Sequence, residues 1–158
     1  MHDTTMRGGK LRMLTVLDEY TRQSRCIHVD RKINARKVRS IMSRLIAEHG
    51  APEHIRSDNG SEFIESFHAR LRDECLNREM LYTLTEARVV VEDWRWKYNH
   101  LRPHGSLGYI SPIEFEQKLE SESSTQGKSS SWPPASFRPS LDLLYTRNHY
   151  ITTSRLTV

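Results

Sequence analysis

The sequence predicts an α/β fold, because strand-like and helix-like patterns alternate along most of the chain. Two short segments, Leu11–Leu17 and Ser24–Asp30, have the composition or the two-residue alternation that β-strands show. Three later segments repeat apolar residues every three or four positions, which is typical of amphipathic helices. With 158 residues, the chain has the length of one domain with a tail.

The two strand-like segments are predicted to pair with each other. The first is rich in Leu, Val, Thr and Met, as buried strands are, and a turn over Asp18–Arg22 would let the second return antiparallel to it. Gly8-Gly9, just before the first segment, suits a turn that opens a hairpin. The second segment places Ile27 and Val29 on one face and Cys26 and His28 on the other.

A first helix is predicted to follow these strands. Asn34 can cap it, and Gly50 and Pro52 would end it after about His49. The helix also carries basic residues on the face opposite its apolar stripe. Such a face is more often simply exposed to solvent than in contact with the DNA backbone, and the sequence leaves both interpretations open. The apolar stripe is Val38, Ile41, Met42, Leu45 and Ile46, and the basic face carries Arg36, Lys37, Arg39 and Arg44.

A short strand and two further helices complete the predicted core. The strand, His54–Ser57, stops at the turn signal Asp58-Asn59-Gly60. One helix is predicted from Ile64 to about Met80. A capping box of Thr83 and Glu86 opens the next helix, which Pro103 closes. The apolar spacings are Ile64, Phe67, Leu71, Cys75 and Leu76 for the first of these helices, and Ala87, Val90, Val91, Trp94 and Tyr98 for the second.

The composition changes near the C-terminus. Residues 121–140 hold eight serines and three prolines with little helical or strand periodicity. We therefore predict a core over residues 1–118 and a Ser/Pro-rich disordered tail over residues 119–158. The last stretch, Leu141–Val158, could form a short strand but has no evident partner in the sequence.

Charge and composition indicate which class of partner the protein binds and in which cellular compartment it is found. The net charge of +4 and the pI near 9.2 favour a polyanionic partner, with nucleic acid first, although a basic protein with a solvated surface fits equally well. Two cysteines make no disulfide framework, so we expect a reducing cytoplasm. No apolar run approaches the roughly 20 residues that span a bilayer, so no membrane partner is expected.

Four long segments, in this order, carry a family resemblance. They are Leu14–Arg22, Gly50–Phe63, Ile64–Asn77 and the signature from Trp94 through Pro112, which includes Arg102-Pro103-His104. Together they resemble insertion-sequence transposases of the orfB type, whose catalytic core is similar to that of retroviral integrases. The resemblance runs from about His2 to Phe115.

This resemblance implies a ribonuclease H-like integrase core that uses two aspartates and a glutamate to hold two divalent ions. Mg²⁺ and Mn²⁺ prefer oxygen ligands, and two ions about 4 Å apart can serve both the attacking and the leaving oxygen of a phosphoryl transfer. By position, Asp58 matches the second aspartate and Glu65 matches the glutamate. The resemblance therefore makes these two residues the expected catalytic and metal-ligating acids, with Mg²⁺ or Mn²⁺ as cofactor.

The chain departs from the family pattern in two ways. The strand with the first aspartate would precede Met1, and neither Asp3 nor Asp18 stands at its position. Asp58 and Glu65 are only seven residues apart, whereas relatives place several tens of residues there, which supply a strand, a helix and a mobile loop. We therefore expect an incomplete core with unpaired strand edges and lost catalysis.

The resemblance also implies DNA partners, namely transposon ends and target DNA, together with self-association or association with a full-length transposase. An inactive member of the DNA integration and transposition class is favoured. Three alternatives stay open: an enzyme that borrows an acid from another chain, a non-catalytic DNA-binding or transposase-binding regulatory fragment, and an unfolded pseudogene product. The candidate DNA-binding residues are Arg36, Lys37, Arg39, Arg44, Arg70, Arg72 and Arg102.

Other conspicuous residues are given structural roles. Pro103 prevents a regular helix between His100 and His104, so a zinc-protease motif is excluded. Cys75 is expected to be a buried helical residue. Glu62, Asp73 and Glu74 are interpreted as surface or structural groups, Trp94 and Tyr98 as core, and Arg95, Trp96 and Lys97 as solvent-facing.

Overall fold

In the computed structural model, residues 1–57, 62–125 and 149–153 are described, and they form a mixed α/β fold with a five-stranded sheet. The predicted α/β class is confirmed. The strands are β1 (His2–Thr4), β2 (Lys10–Asp18), β3 (Ser24–Asp30), β4 (His54–Ser57) and β5 (His149–Thr153). The helices are α1 (Ala35–His49), α2 (Glu62–Leu71), α3 (Leu84–His100) and α4 (Pro112–Thr125), with a π-helical turn (Arg72–Leu76) and a 3-10 turn (Gly105–Leu107).

The first three strands form an antiparallel meander around β2. The hairpin predicted at Gly8-Gly9 is confirmed: Gly8 adopts a left-handed φ of 75°, and the N–H of Thr5 donates to the carbonyl of Gly9 at 2.8 Å. Strand β1 itself carries too little pattern to be predicted. Strand β3 pairs with the other edge of β2, as the sequence predicted.

Strand β5 connects two parts of the sheet. It pairs antiparallel with β2, from Thr15 opposite Thr153 to Asp18 opposite Tyr150, and parallel with β4 on its other side. Because β3 occupies the opposite edge of β2, β1 and β5 lie end to end along one edge. The short strand that the sequence allowed in Leu141–Val158 is present, and its partners β2 and β4 were not evident because they lie far away in the sequence.

The sheet buries apolar side chains on both faces. One face of β2 and β3, with Leu11, Met13 and Val29, packs against α2, the π-helical turn and α3. The other face, with Leu14, Val16 and Cys26, packs against Ile41 and Leu45 of α1. The two faces predicted for β3 are therefore confirmed, and α1 lies on the opposite side of the sheet from α2 and α3.

Helix α2 has a shorter extent than the sequence predicted. It begins at Glu62, two residues before the predicted start, and its last turns are π-helical up to Leu76, so the helix does not reach Met80. The wider turn keeps Leu71, Cys75 and Leu76 all buried, which a regular helix with 3.6 residues per turn would do less well. All five predicted core positions of this segment are buried.

Local capping signals fix the other helix starts. The Asn34 side chain accepts from the N–H of Lys37, and Thr83 and Glu86 form the predicted capping box. The predicted boundary at residue 118 falls inside α4, which continues to Thr125, so regular structure extends into the segment for which a tail was predicted. The remaining parts of that segment, 126–148 and 154–158, lie outside the described residues.

Candidate catalytic acids and nucleic-acid interface

Glu65, the expected catalytic glutamate, lies near the start of α2. Its side chain is exposed, because its neighbours Ile64 and Phe67 direct the other side of the helix into the core. Asp58 lies in the link between β4 and α2, residues 58–61, which is outside the described residues. The assignment of both acids to the family's catalytic positions stays a prediction.

Asp18 is a structural acid in the β2–β3 turn. It is fully buried, and its Oδ1 accepts from the backbone N–H groups of Tyr20 at 3.0 Å and Thr21 at 3.3 Å. Its Oδ2 pairs with Arg25 at 3.0 Å, and Arg25 also pairs with Glu116 of α4 at 2.7 Å. This network, which the sequence did not reveal, holds α4 against the sheet. It also engages both oxygens of the Asp18 carboxylate in structural contacts.

Glu74 also has a structural role, as the sequence suggested. It pairs with Arg102 and accepts a hydrogen bond from the indole Nε1 of Trp94 at 3.2 Å. Burial alone would raise the pKa of Glu74, but these two partners hold it below its ordinary value. The carboxylate is thereby kept charged and in place.

The described residues do not fit the family's pair of divalent ions. Within residues 1–57, 62–125 and 149–153, no group of three His, Cys, Asp or Glu side chains comes together in a way that could hold a metal ion. Glu65 is exposed, and Asp18 and Glu74 are engaged by arginines.

The seven candidate DNA-binding residues fall on two sides of the sheet. Those of α1 lie on the side opposite α2 and α3, so they cannot share one surface with Arg70, Arg72 and Arg102. On α1, Arg36 and Arg39 are exposed. Lys37 instead pairs with Asp30, and Arg44 lies 3.7 Å from Glu48. The predicted basic face of α1 is therefore partly neutralised by carboxylates.

A second basic group surrounds a cavity of about 450 Å³ beside α2. Arg70 of α2, Arg102 after α3 and Arg22 of the β2–β3 turn line it, together with His104. The Arg22 guanidinium lies over the Phe63 ring, 4.3 Å from its centroid. Arg70 and Arg102 were among the predicted DNA-binding residues, whereas Arg22 was missed because its turn gives no sequence signal for this position.

His104 is a buried residue in the lining of this cavity. It is 7% exposed, its ring packs edge-on against Tyr98 with centroids 4.9 Å apart, and its Nε2 has no hydrogen-bond partner among the described residues. Burial, reinforced by the positive charges of Arg70, Arg102 and Arg22, lowers the pKa of His104 to about 4. The imidazole is therefore neutral near pH 7.

The solvent-facing residues predicted on α3 need one correction. Trp96 is 48% exposed and Lys97 is exposed, as expected. Arg95 is half-buried instead, and its guanidinium donates to the carbonyl of Ser24 at 2.7 Å. The buried Asn99 side chain bonds the same Ser24 backbone through both its oxygen and its nitrogen, which docks α3 onto β3.

Two histidines, the half-buried His68 and the buried His104, should make the protein less stable in mild acid. Burial lowers the pKa of His68 to about 4, with smaller contributions from the Met1 amino group and Arg72, and the pKa of His104 is also about 4. Both pKa values are 6.5 in the unfolded reference, so the unfolded chain binds more protons below that pH. The contribution of the two neutral imidazoles to the stability of the folded state is fully present above pH 6.5. It is lost as the pH falls towards 4.

We expect the free energy of unfolding, measured in urea, to fall between pH 6.5 and about 5, before most carboxylates protonate. In a His68→Gln/His104→Gln variant, the free energy of unfolding should depend less steeply on pH. The decrease in slope should correspond to the loss of up to about two protons taken up on unfolding. His28 and His49, whose pKa values burial also lowers, would supply the remaining slope. An unchanged slope in the double variant would contradict this assignment.

Comparison with known proteins agrees with the resemblance of the sequence segments. A family model described as the integrase core domain matches residues 48–112, which include Asp58 and Glu65. The 39.2 kDa protein of insertion element IS476 from Xanthomonas euvesicatoria is 34% identical over 142 residues, which cover 72% of this chain and 41% of the relative. The 31.7 kDa protein of insertion element IS407 from Burkholderia multivorans is 33% identical over 145 residues, which cover 73% of this chain and 52% of the relative.

The chain thus spans about half the length of the curated relatives it matches. No solved structure gives a significant match. An integrase core domain implies a ribonuclease H-like fold, and its family generally depends on divalent metal ions and binds DNA. In the described part of the chain, no helix has the length and apolar character needed to span a lipid bilayer. The four sequence segments, the domain match over residues 48–112 and the two relatives agree, and the chain is similar to insertion-element proteins with an integrase-like core.

Proposed function

We propose that this chain is a DNA-binding member of the transposase family that does not catalyse strand transfer. The observation that carries the proposal is the short connection between β4 and α2. Strand β4 ends at Ser57 and α2 begins at Glu62, so only four residues separate the elements expected to carry the second and third catalytic acids. A catalytic core of this family needs its acids to converge around two ions about 4 Å apart.

The alignments with the relatives support a missing internal segment. For the IS476 protein, 72% of 158 residues is about 114, so about 28 of the 142 aligned positions have no residue of this chain opposite them. For the IS407 protein, 73% is about 115, and about 30 of 145 positions are unmatched. We infer that most of these positions fall between Asp58 and Glu65, where the sequence pattern is interrupted.

The exposure of Glu65 supports the same proposal. A carboxylate that binds a divalent ion in a working site is held by neighbouring groups that fix its direction. Glu65 is exposed at the start of α2, and no hydrogen bond or ion pair holds its side chain among the described residues. Such a side chain would lose conformational freedom on binding an ion, which weakens the site further.

A strand-transfer assay with Mn²⁺ tests the loss of catalysis. The substrates would be labelled duplexes ending in the terminal repeats of IS476 and IS407, with a supercoiled plasmid as target, and nicking of the plasmid alone gives a readout independent of the ends. A full-length insertion-sequence transposase with demonstrated strand-transfer activity serves as the positive control. We expect no product from this chain above that of the Asp58→Asn and Glu65→Gln variants. A product that disappears in both variants would overturn the proposal.

A second candidate function is inhibition of a full-length transposase. The observation that favours it is that Arg22, Arg70 and Arg102 line a cavity outside the expected catalytic acids, so DNA contacts can persist without catalysis. Adding this chain to a strand-transfer reaction of an active full-length transposase should then lower the yield of product. An unchanged yield at a large excess of this chain would contradict this candidate.

A further inference from the structure

The cavity beside α2 concentrates positive charge without matching negative charge in its lining. Among the described residues that line it there are three arginines and no aspartate or glutamate. Glu74 pairs with one nitrogen of Arg102, which leaves the other N–H donors of that guanidinium available. No described carboxylate pairs with Arg22 or Arg70. Glu74 attracts the charge of Arg70 without forming an ion pair with it, so an anion that entered the cavity would meet cations whose charge this described carboxylate offsets only in part.

The backbone at Arg22, whose side chain lines the cavity, is held in a strained conformation. Its φ of 62° lies in the left-handed region, which costs a residue other than glycine about 1 to 2 kcal/mol. The turn is fixed by Asp18, which accepts from two of its backbone N–H groups, and by the bond from the N–H of Asp18 to the carbonyl of Gln23 at 2.8 Å. Strain that the surrounding structure maintains at a charged residue is typical of binding sites.

His104 supplies an independent sign of a missing partner. A buried polar nitrogen without a hydrogen bond is rare, because leaving it unsatisfied costs about 1 to 3 kcal/mol. The Nε2 of His104 is such an atom, at a residue that lines the cavity. In a neutral imidazole one ring nitrogen carries the proton and can donate to an oxygen of a bound anion.

The chemistry of the lining favours a phosphate group. Guanidinium groups bind phosphate oxygens through pairs of parallel N–H donors. Several guanidinium groups together match the charge of a phosphate better than they match the single charge of a carboxylate. The hydroxyls of Ser66 and Ser106, which also line the cavity, can donate to the same oxygens. The volume of about 450 Å³ exceeds that of a phosphate, so an attached sugar can enter as well.

We propose that this cavity binds one phosphate group of a nucleic-acid strand, with Arg22, Arg70 and Arg102 as its cationic partners and His104 and the two serines as hydrogen-bond donors. This inference rests on the proposed DNA-binding function and adds its contact point. It places the contact on the α2 side of the sheet, rather than on the basic face of α1.

Binding titrations with matched variants test the proposal. The probe is a short fluorescent DNA duplex of arbitrary sequence, titrated over a series of salt concentrations, and the variants are Arg70→Gln and Arg22→Asn, since asparagine tolerates the left-handed backbone. Lys118→Gln on α4, an exposed residue outside the cavity, is the control with the same change in net charge. Circular dichroism confirms that each variant keeps its secondary structure.

Each cavity variant should weaken DNA binding about tenfold and reduce the salt slope by about 1, while Lys118→Gln changes both far less. Inorganic phosphate should raise the melting temperature of the wild type more than that of Arg70→Gln. The proposal is overturned if the cavity variants match Lys118→Gln in affinity and slope. It is also overturned if inorganic phosphate discriminates the variants but DNA does not, because the cavity would then serve a free phosphate.

The same titration separates this inference from the proposed function. A wild type that binds no DNA would end both. A wild type that binds DNA with unaltered affinity in the cavity variants would end only the cavity assignment. Strand-transfer product that depends on Asp58 would end the proposed loss of catalysis and leave the phosphate contact standing.

Discussion

Replacing Phe67 with alanine is expected to lower the free energy of unfolding by about 3 to 5 kcal/mol. Phe67 is 1% exposed, and its ring lies edge-on to Trp94 and Tyr98, with centroids 5.4 and 4.9 Å away. It therefore joins α2 to α3 over the sheet, and its removal would leave a cavity between rigid aromatic rings. Urea denaturation followed by circular dichroism measures the loss.

Two further variants keep this prediction testable if the alanine variant does not fold. Phe67→Leu retains much of the volume and should cost less than Phe67→Ala, with a folded baseline that can be measured. Val89→Ala on α3 removes an apolar side chain that is 65% exposed and should change stability by less than about 0.5 kcal/mol. Equal losses for Phe67→Ala and Val89→Ala would contradict the packing described for the α2–α3 interface.

The second large effect is expected from placing proline in β5. Ile151 pairs with Leu17 of β2 on one side and with Arg56 of β4 on the other, so its backbone lies in the middle of the sheet. Ile151→Pro removes a ladder hydrogen bond and leaves its acceptor unsatisfied, which costs about 1 to 3 kcal/mol before any detachment of the strand. Losing β5 would also leave β4 without its described partner strand.

Hydrogen exchange measured by mass spectrometry checks this prediction locally. In Ile151→Pro, the amides of β4 and those amides of Thr15–Asp18 that bond to β5 should exchange much faster than in the wild type, while the amides that bond β2 to β3 should keep more protection. Ile151→Val, which keeps the backbone donor and a β-branched side chain, is the control. Unchanged exchange in β4 of the proline variant would show that β5 does not hold the sheet together.

Local signals explain which elements the sequence could predict. The capping residues Asn34 and Thr83, the turn at Gly8-Gly9 and the alternation along β3 all act over a few neighbouring residues, and the structure has each of them where predicted. The predicted helix from Ile64 kept its apolar positions but not its end, because a π-helical turn changes the spacing without changing the composition.

Long-range features escaped the sequence for a physical reason. Strand β5 is defined by pairing with Thr15 and Arg56, which lie far from it along the chain. The cavity joins Arg22, Arg70 and Arg102 from three separate elements, and no local spacing relates them. Helix α4 is held to the sheet by Glu116 through Arg25, a contact that no helical periodicity encodes.

Manganese binding tests the central claim that the remaining acids do not form a two-ion site. Free Mn²⁺ gives a sharp electron paramagnetic resonance signal that weakens when the ion binds protein, so the signal can be followed as protein is added. We predict the same signal for the wild type and for an Asp58→Asn/Glu65→Gln variant at equal protein concentration. The account would be contradicted if the wild type reduced the free-ion signal by the equivalent of two bound Mn²⁺ ions per chain while the double variant left that signal unchanged.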